Sequence, residues 1–346
     1  MQERTHFFVT LFLILCAVCI CIVLGFYSMK RCHDGKIASS NERYFNSIIG
    51  RYFKFNSMII GTSMSENFKC SEFDKVTGGY AQKLTLSGGH ISEIAFTAEY
   101  AMKYQKIETV LLDIMTRSFI LAESRFELPM NLYKESIPLS DRVCDTLSLE
   151  TIFRNLRNLL KKNSFDRDKS YSWAYRYPCG LIHFSKYMIE KEDVWKKYVL
   201  DLKKYNADDV QDRIDKYLVS LIRNHPEVTF YIYLPPYSAI EFSFAPQIYA
   251  DFRKSIMDAL LQYDNVKLYD FQAEGNVIFD LKNYKDTYHY SKEINSWIIQ
   301  SLNEDKYLVS SDNRQDFERN FNDLMKNFDQ KKALTELRQY YDTYVK

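Results

Sequence analysis

The chain has 346 residues, 46% hydrophobic and 26% charged, enough for one large or two small domains and too apolar for wholesale disorder. Lys and Arg number 46 against 45 Asp and Glu, a formal net charge of +1, which argues against a dedicated nucleic-acid binder. With 10 Gly and 7 Pro, collagen-like and Pro-rich classes are disfavoured too.

The first feature along the chain is Phe7 to Tyr27, 21 residues without a charge. That is the length a helix needs to cross the hydrocarbon core of a bilayer. A cleaved signal peptide has a shorter apolar region and ends in a small-x-small site, which Gly25-Phe26-Tyr27-Ser28 matches poorly. Cys16, Cys19 and Cys21 lack the small residue that precedes a lipid-modified Cys. Residues 1–27 therefore read as an uncleaved anchor, and no second stretch of this kind follows. Arg4 precedes the segment while Lys30, Arg31, Lys36 and Arg43 follow it, which favours a cytoplasmic domain. Long domains translocate largely regardless of flanking charge, so orientation rests on function. Outside the anchor, Cys32, Cys70, Cys144 and Cys179 permit disulfides without requiring them, and no C-x-x-C spacing suggests a metal.

Residues 28–55 read as a polar juxtamembrane stalk. Short apolar runs then follow, each ending in turn residues or a helical pattern: Met58 to Ile60, Lys83 to Leu86, Thr109 to Ile114, Val228 to Leu234 and Val266 to Phe271. Their length and their branched and aromatic residues predict strands. Helical patterns lie between them, over Ile91 to Gln105 and over Val210 to Arg223, where Ile214, Leu218, Leu221 and Ile222 share a face. This alternation predicts an α/β domain over 56–303, a five-stranded parallel sheet flanked by helices. The interval of about 117–223 is too long for one crossover and reads as a helical insertion, with helical patterns over Asp145 to Lys162 and Lys191 to Lys204. Residues 304–346 form a charged helical tail with Phe317, Phe321, Leu324 and Phe328 at helix spacing, expected to pack back on the domain or on a partner.

Active sites of open α/β sheets form beyond the carboxyl ends of the strands. Gly61-Thr62-Ser63-Met64 follows the first strand and places Ser63 at a strand-to-helix turn near backbone N–H groups. Asp286-Thr287-Tyr288-His289 follows the last strand, with Ser291 as N-cap of a helix whose inner face is Ile294, Trp297, Ile298 and Leu302. An Asp three residues before a His can orient one imidazole nitrogen and leave the other to deprotonate a Ser. Ser87-Gly88-Gly89 ends the second strand, where a Gly N–H can face the carbonyl oxygen under attack. Taken singly, each has an ordinary reading: a chance Gly-x-Ser, a structural Asp with an incidental His, a plain turn. His90 is more simply structural or exposed, and His183 and His225 lack metal-ligand partners at useful spacing. Trp173, Tyr175, Tyr177 and Trp195 suit stacking on sugar rings, although packing is the commoner use of such residues.

Together these residues resemble the SGNH/GDSL hydrolase superfamily. Gly61-Thr62-Ser63, Gly88 or Gly89, and Asp286 with His289 occur in that family's order over about Ser57 to Leu302. Gly61 to Phe68, Pro235-Pro236-Tyr237-Ser238 and Asp286 to Ser291 are similar to membrane-anchored bacterial members that accompany O-acylation of cell-surface polysaccharides. The resemblance implies a flavodoxin-like sheet in the order 2-1-3-4-5, a Ser63–His289–Asp286 triad, an oxyanion hole from Ser63 and Gly88, and no cofactor or metal. It implies an extracytoplasmic domain, a glycan that carries or accepts acyl groups, and a multi-pass membrane acyltransferase as partner. The family's Asn after the third strand is not evident, since Asp113-Ile114-Met115-Thr116-Arg117 occupies that region. Either backbone N–H groups alone build the hole, or activity is weak or lost. Two other readings stand beside the enzyme: an inactive glycan-binding or scaffold subunit, and a cytoplasm-facing lipid esterase.

Overall fold

A computed structural model describes residues 42–121, 127–134 and 166–346, with positions 10, 12, 16–20 and 23. The expected anchor and the expected helix over Asp145 to Lys162 lie largely or wholly outside these residues. Among the described residues no helix is long and apolar enough to cross a membrane.

The chain divides into two units, Met1–Phe53 with Leu128–Asp166, and Lys54–Glu127 with Arg167–Lys346. The first contains helix α1 (Glu42–Tyr52), which starts on Glu42 and ends with Arg51 in its last turn, as the helix dipole favours. The Tyr133 hydroxyl donates to the Arg43 carbonyl at 2.8 Å, and Arg51 Nη1 donates to the Lys134 carbonyl at 3.1 Å. Residues 42–52 of the segment read as a stalk, 28–55, are thus an amphipathic helix. The interval of 117–223 read as an insertion is divided between the two units, with 128–166 in the first and 167–223 in the second.

The second unit runs β1 (Ser57–Ile60), α2 (Cys70–Thr77), β2 (Ala81–Lys83), α3 (Ile91–Tyr104), β3 (Thr109–Asp113), α4 (Leu181–Glu190), α5 (Glu192–Leu202), α6 (Ala207–Arg213), β4 (Thr229–Leu234), α7 (Pro246–Leu260), β5 (Val266–Asp270), α8 (Lys292–Asn303), β6 (Leu308–Val309), α9 (Arg314–Asn327) and α10 (Gln330–Tyr344). The sheet order is β2-β1-β3-β4-β5-β6. The first five strands pair in parallel, in the expected 2-1-3-4-5 order, and β6 pairs antiparallel with β5. The expectation of five strands is therefore corrected to a mixed sheet of six. A two-residue edge strand carries no periodicity to read, and it is set up by the turn at Asp305 and Tyr307, both at positive φ.

All four residues of β1 are buried, as are Val110 to Asp113 of β3, because helices cover both faces of a parallel sheet. Pairing beside β1 continues past β2, with Leu84 N and Leu86 N donating to the carbonyls of Ile59 and Gly61 at 2.8 Å. Helix α6 runs on through a π-helical turn, Ile214–Val219, into Ser220–Asn224, burying Ile214, Leu218, Leu221 and Ile222. That turn packs against α3 and α7. The tail folds back on the same unit: Arg253 of α7 pairs with Asp270 and donates to the Phe317 carbonyl at 3.1 Å, while Phe321 meets Phe242 edge-on at 5.1 Å. Strand order reverses between β1 and β3, so the crevice beyond their carboxyl ends is where such a sheet binds ligands.

Candidate active site

Gly61 leaves β1 at φ +142°, a conformation L side chains rarely adopt, and a Cβ there would come within 1.9 Å of Asp113 Oδ1. Glycine is required both by the turn and by this close approach. Asp113, at the end of β3, is fully buried and binds the turn by three bonds. Its Oδ1 accepts from the Thr62 N–H at 2.7 Å and from Ser65 Oγ at 2.6 Å, and its Oδ2 accepts from Thr62 Oγ1 at 2.8 Å. Burial pushes the Asp113 carboxyl up to about 6, against the opposing pull of its bonds to Ser65 and Thr62. Behind it, Tyr233 OH lies 3.3 Å from both Ser65 Oγ and Tyr290 OH.

This clamp presents Ser63, which is 6% exposed, with its Oγ 2.8 Å from His289 Nε2. His289 Nδ1 lies 2.8 Å from Asp286 Oδ2 and 3.0 Å from Oδ1. Donation from Nδ1–H to the carboxylate leaves Nε2 free to accept from Ser63, the tautomer a general base needs. Local chemistry explains why Asp-x-x-His folds this way. Asp286 Oδ1 also accepts from the Tyr288 and His289 N–H groups, at 3.2 and 2.8 Å, closing a tight Asx-type loop. The Tyr284–Tyr290 bridge and the Lys285 N–H bond to the His289 carbonyl, at 3.1 Å, seal its base. Burial alone would raise the Asp286 carboxyl, but the His289 ring and Lys285 hold it below its ordinary value. The loop after β4 fixes the whole assembly: Ser238 N and Oγ donate to the Thr287 carbonyl at 3.0 and 2.7 Å, and Tyr284 OH donates to the Pro236 carbonyl at 2.9 Å.

Gly88 sits in a left-handed turn, φ +61°, two residues past Leu86 and so just beyond the level of Gly61. The N–H groups of Ser63 and Gly88 have no protein acceptor among the described residues. Asp113 itself supplies no donor at the end of β3, because both its oxygens accept. Ser291 stands at the N-cap of α8 without a side-chain cap bond, and Trp297 is only partly buried.

Two groups brace the turn bearing Ser63 in ways the sequence does not indicate: Trp173 reads there only as a stacking ring, and Lys83 only as the start of a strand. Trp173 Nε1 donates to the Ser63 carbonyl at 2.9 Å, and its ring meets His289 edge-on at 5.3 Å. Lys83 is wholly buried, and its ammonium donates to the carbonyls of Glu66, Phe68 and Asp168 at 2.9, 3.0 and 2.9 Å. It thereby joins the segment after Ser63 to the loop that carries Trp173. Asn295 Nδ2 supports the same turn through the Met64 carbonyl at 3.0 Å.

The remaining candidates separate. Trp195 stacks on Phe244 at 5.1 Å and donates to the Met188 carbonyl, a packing role. His90 caps α3: its Nδ1 accepts from Ser92 N, so the other nitrogen donates to the Leu121 carbonyl at 2.8 Å, and burial lowers its pKa. His225 pairs with Glu99 at 2.8 Å, and His183 is exposed on α4. Among the described residues no cluster of His, Cys, Asp or Glu suits a metal ion.

No family model matches the chain, and no curated protein matches it. Among solved structures it is similar to one from Streptococcus pneumonia described as "a putative platelet activating factor", at 10% identity. That likeness covers 77% of this chain and 91% of the other, with a TM-score of 0.42. At that level it says nothing of this chain's chemistry.

Proposed function

We propose that the chain is a serine esterase or O-acyltransferase of SGNH type, working on O-acyl groups of a cell-envelope polysaccharide and held at the membrane by residues 1–27. The observation that carries the reading is the unbroken Ser63–His289–Asp286 hydrogen-bond path at the switch point of the sheet. His289 Nε2 takes the Ser63 proton as Oγ attacks the ester carbonyl carbon. The Ser63 and Gly88 N–H groups hold the oxyanion. As the carbonyl re-forms, the bond to the alcohol oxygen breaks and that oxygen takes the proton from His289. Water or a sugar hydroxyl then gives its proton to His289 and attacks the acyl-Ser, and Ser63 leaves with the proton returned. Transfer rather than hydrolysis fits a chain tethered beside an acyl donor such as a multi-pass membrane acyltransferase.

The Asn that the family carries after the third strand is not evident in the region Asp113 to Arg117, where the Asp113 carboxylate only accepts, and this favours a second reading: a glycan-binding scaffold subunit that retains the geometry. One missing donor costs about 10²–10³ in rate, so it weakens catalysis without abolishing it. A serine-directed fluorophosphonate separates the two. The full chain in detergent is expected to label and to hydrolyse a small acetyl ester, and Ser63→Ala and His289→Ala to lose both. An unlabelled wild type that turns over no ester favours the scaffold.

A further inference from the structure

The loop bearing Trp173 continues as Ala174-Tyr175-Arg176-Tyr177, and its aromatic rings carry cations. Lys285 Nζ stands 4.2 Å from the Trp173 ring centroid and 5.1 Å from that of Tyr177. Lys292 Nζ, in the first turn of α8, stands 5.0 Å from the Tyr175 ring. Tyr175 and Tyr177 are 51% and 57% exposed, so the cluster faces solvent. Among the described residues no carboxylate forms an ion pair with either lysine. Asp286, next to Lys285 in the chain, feels its charge but makes its side-chain hydrogen bonds to His289 rather than to the lysine. Glu293, next to Lys292, pairs with neither.

Two ammonium groups are thus held over ring faces, and Trp173 is bonded directly to Ser63. Cation–π contact orients an ammonium without neutralising it, so the positive charge stays available to a ligand. A neutral sugar stacking on these faces would have to displace the lysines, whereas an anion completes them.

We infer that Lys285, Lys292 and the Trp173–Tyr177 loop form a subsite for an anionic group, phosphate or carboxylate, on the molecule processed at Ser63. The link to Ser63 rests on the proposed function; the binding itself does not.

Binding is therefore measured in the inactive Ser63→Ala chain, full length in a zwitterionic detergent, by titration calorimetry. The probes are inorganic polyphosphate, polygalacturonate and neutral dextran. At least one polyanion is expected to bind and dextran is not, and the polyanion that binds more tightly identifies phosphate or carboxylate. Adding Lys285→Gln with Lys292→Gln is expected to weaken binding at least about tenfold, a loss of two charge contacts. Lys285→Arg with Lys292→Arg should retain it, and Lys326→Gln with Lys332→Gln, on the tail, should leave it unchanged. No binding of either polyanion, equal binding of dextran, or equal losses in the tail variant and the Lys285/Lys292 variant would each overturn the subsite. Failure of the catalytic reading shows separately, as a wild type that the phosphonate does not label.

Discussion

The Trp173 indole N–H donates to the carbonyl of Ser63 at 2.9 Å while the same ring meets His289 edge-on, so one side chain braces both ends of the proton-transfer pair. Trp173→Phe keeps most of the ring contact and removes the hydrogen bond. A net bond of this type contributes about 0.5–1.5 kcal/mol, so ester turnover is expected to fall about two- to thirteenfold. The loss should appear in kcat more than in KM, because the bond orients Ser63 rather than the substrate. Steady-state kinetics on a small acetyl ester reads the split, and unchanged kcat removes the positioning role.

Asp113 makes stability depend on pH in a direction opposite to most carboxylates. Its folded pKa is raised to about 6, so the folded state binds the proton more tightly than the unfolded chain. Stability linked to this group is fully present below its ordinary carboxylate pKa and is lost as pH rises through about 6. The upper bound for a shift of about two pKa units is about 3 kcal/mol. Asp113→Asn cannot titrate, so the stability of wild type relative to this variant should decline between about pH 4 and pH 7. Urea unfolding of both proteins across that range checks the sign. A difference that stays flat would mean that Asp113 keeps an ordinary pKa in the fold.

Lys83 is a buried cation whose ammonium donates to three carbonyl oxygens. Lys83→Met fills the same volume but leaves those carbonyls without their donor, at about 1–3 kcal/mol for each buried group that finds no substitute. A fall in unfolding free energy of about 2–4 kcal/mol is expected, together with weaker phosphonate labelling, since both the Ser63 segment and the Trp173 loop lose their shared anchor. Thermal unfolding and labelling rate are read on the same sample. A variant as stable and as reactive as wild type would show that the loops are held by other contacts.

Much of the frame was legible because it is written in local patterns. The apolar runs around Ile59, Leu111, Ile232 and Leu268 predict the parallel strands, and the run Lys83 to Leu86 lies a few residues past β2 because Leu84 and Leu86 continue its pairing beyond the ladder. Gly61-Thr62-Ser63 and Asp286-x-x-His289 could be assigned to strand ends because turn chemistry is local too, and the structure brings Ser63 and His289 to 2.8 Å. The sixth strand was not legible, being two residues supported only by pairing with β5.

Residue order along the chain thus determined the α/β alternation, the first five strands and the Ser63, His289 and Asp286 that meet in one hydrogen-bond path. The tertiary structure alone decided what surrounds them: that Asp113 holds Thr62 and Ser65, that Trp173 and Lys83 brace the turn bearing Ser63, and that Lys285 and Lys292 lie over the neighbouring rings. Periodicity and turn preference act over a few residues and leave a mark in the sequence. A hydrogen bond between residues 110 positions apart, such as that from Trp173 to Ser63, depends on how crossovers stack and leaves none.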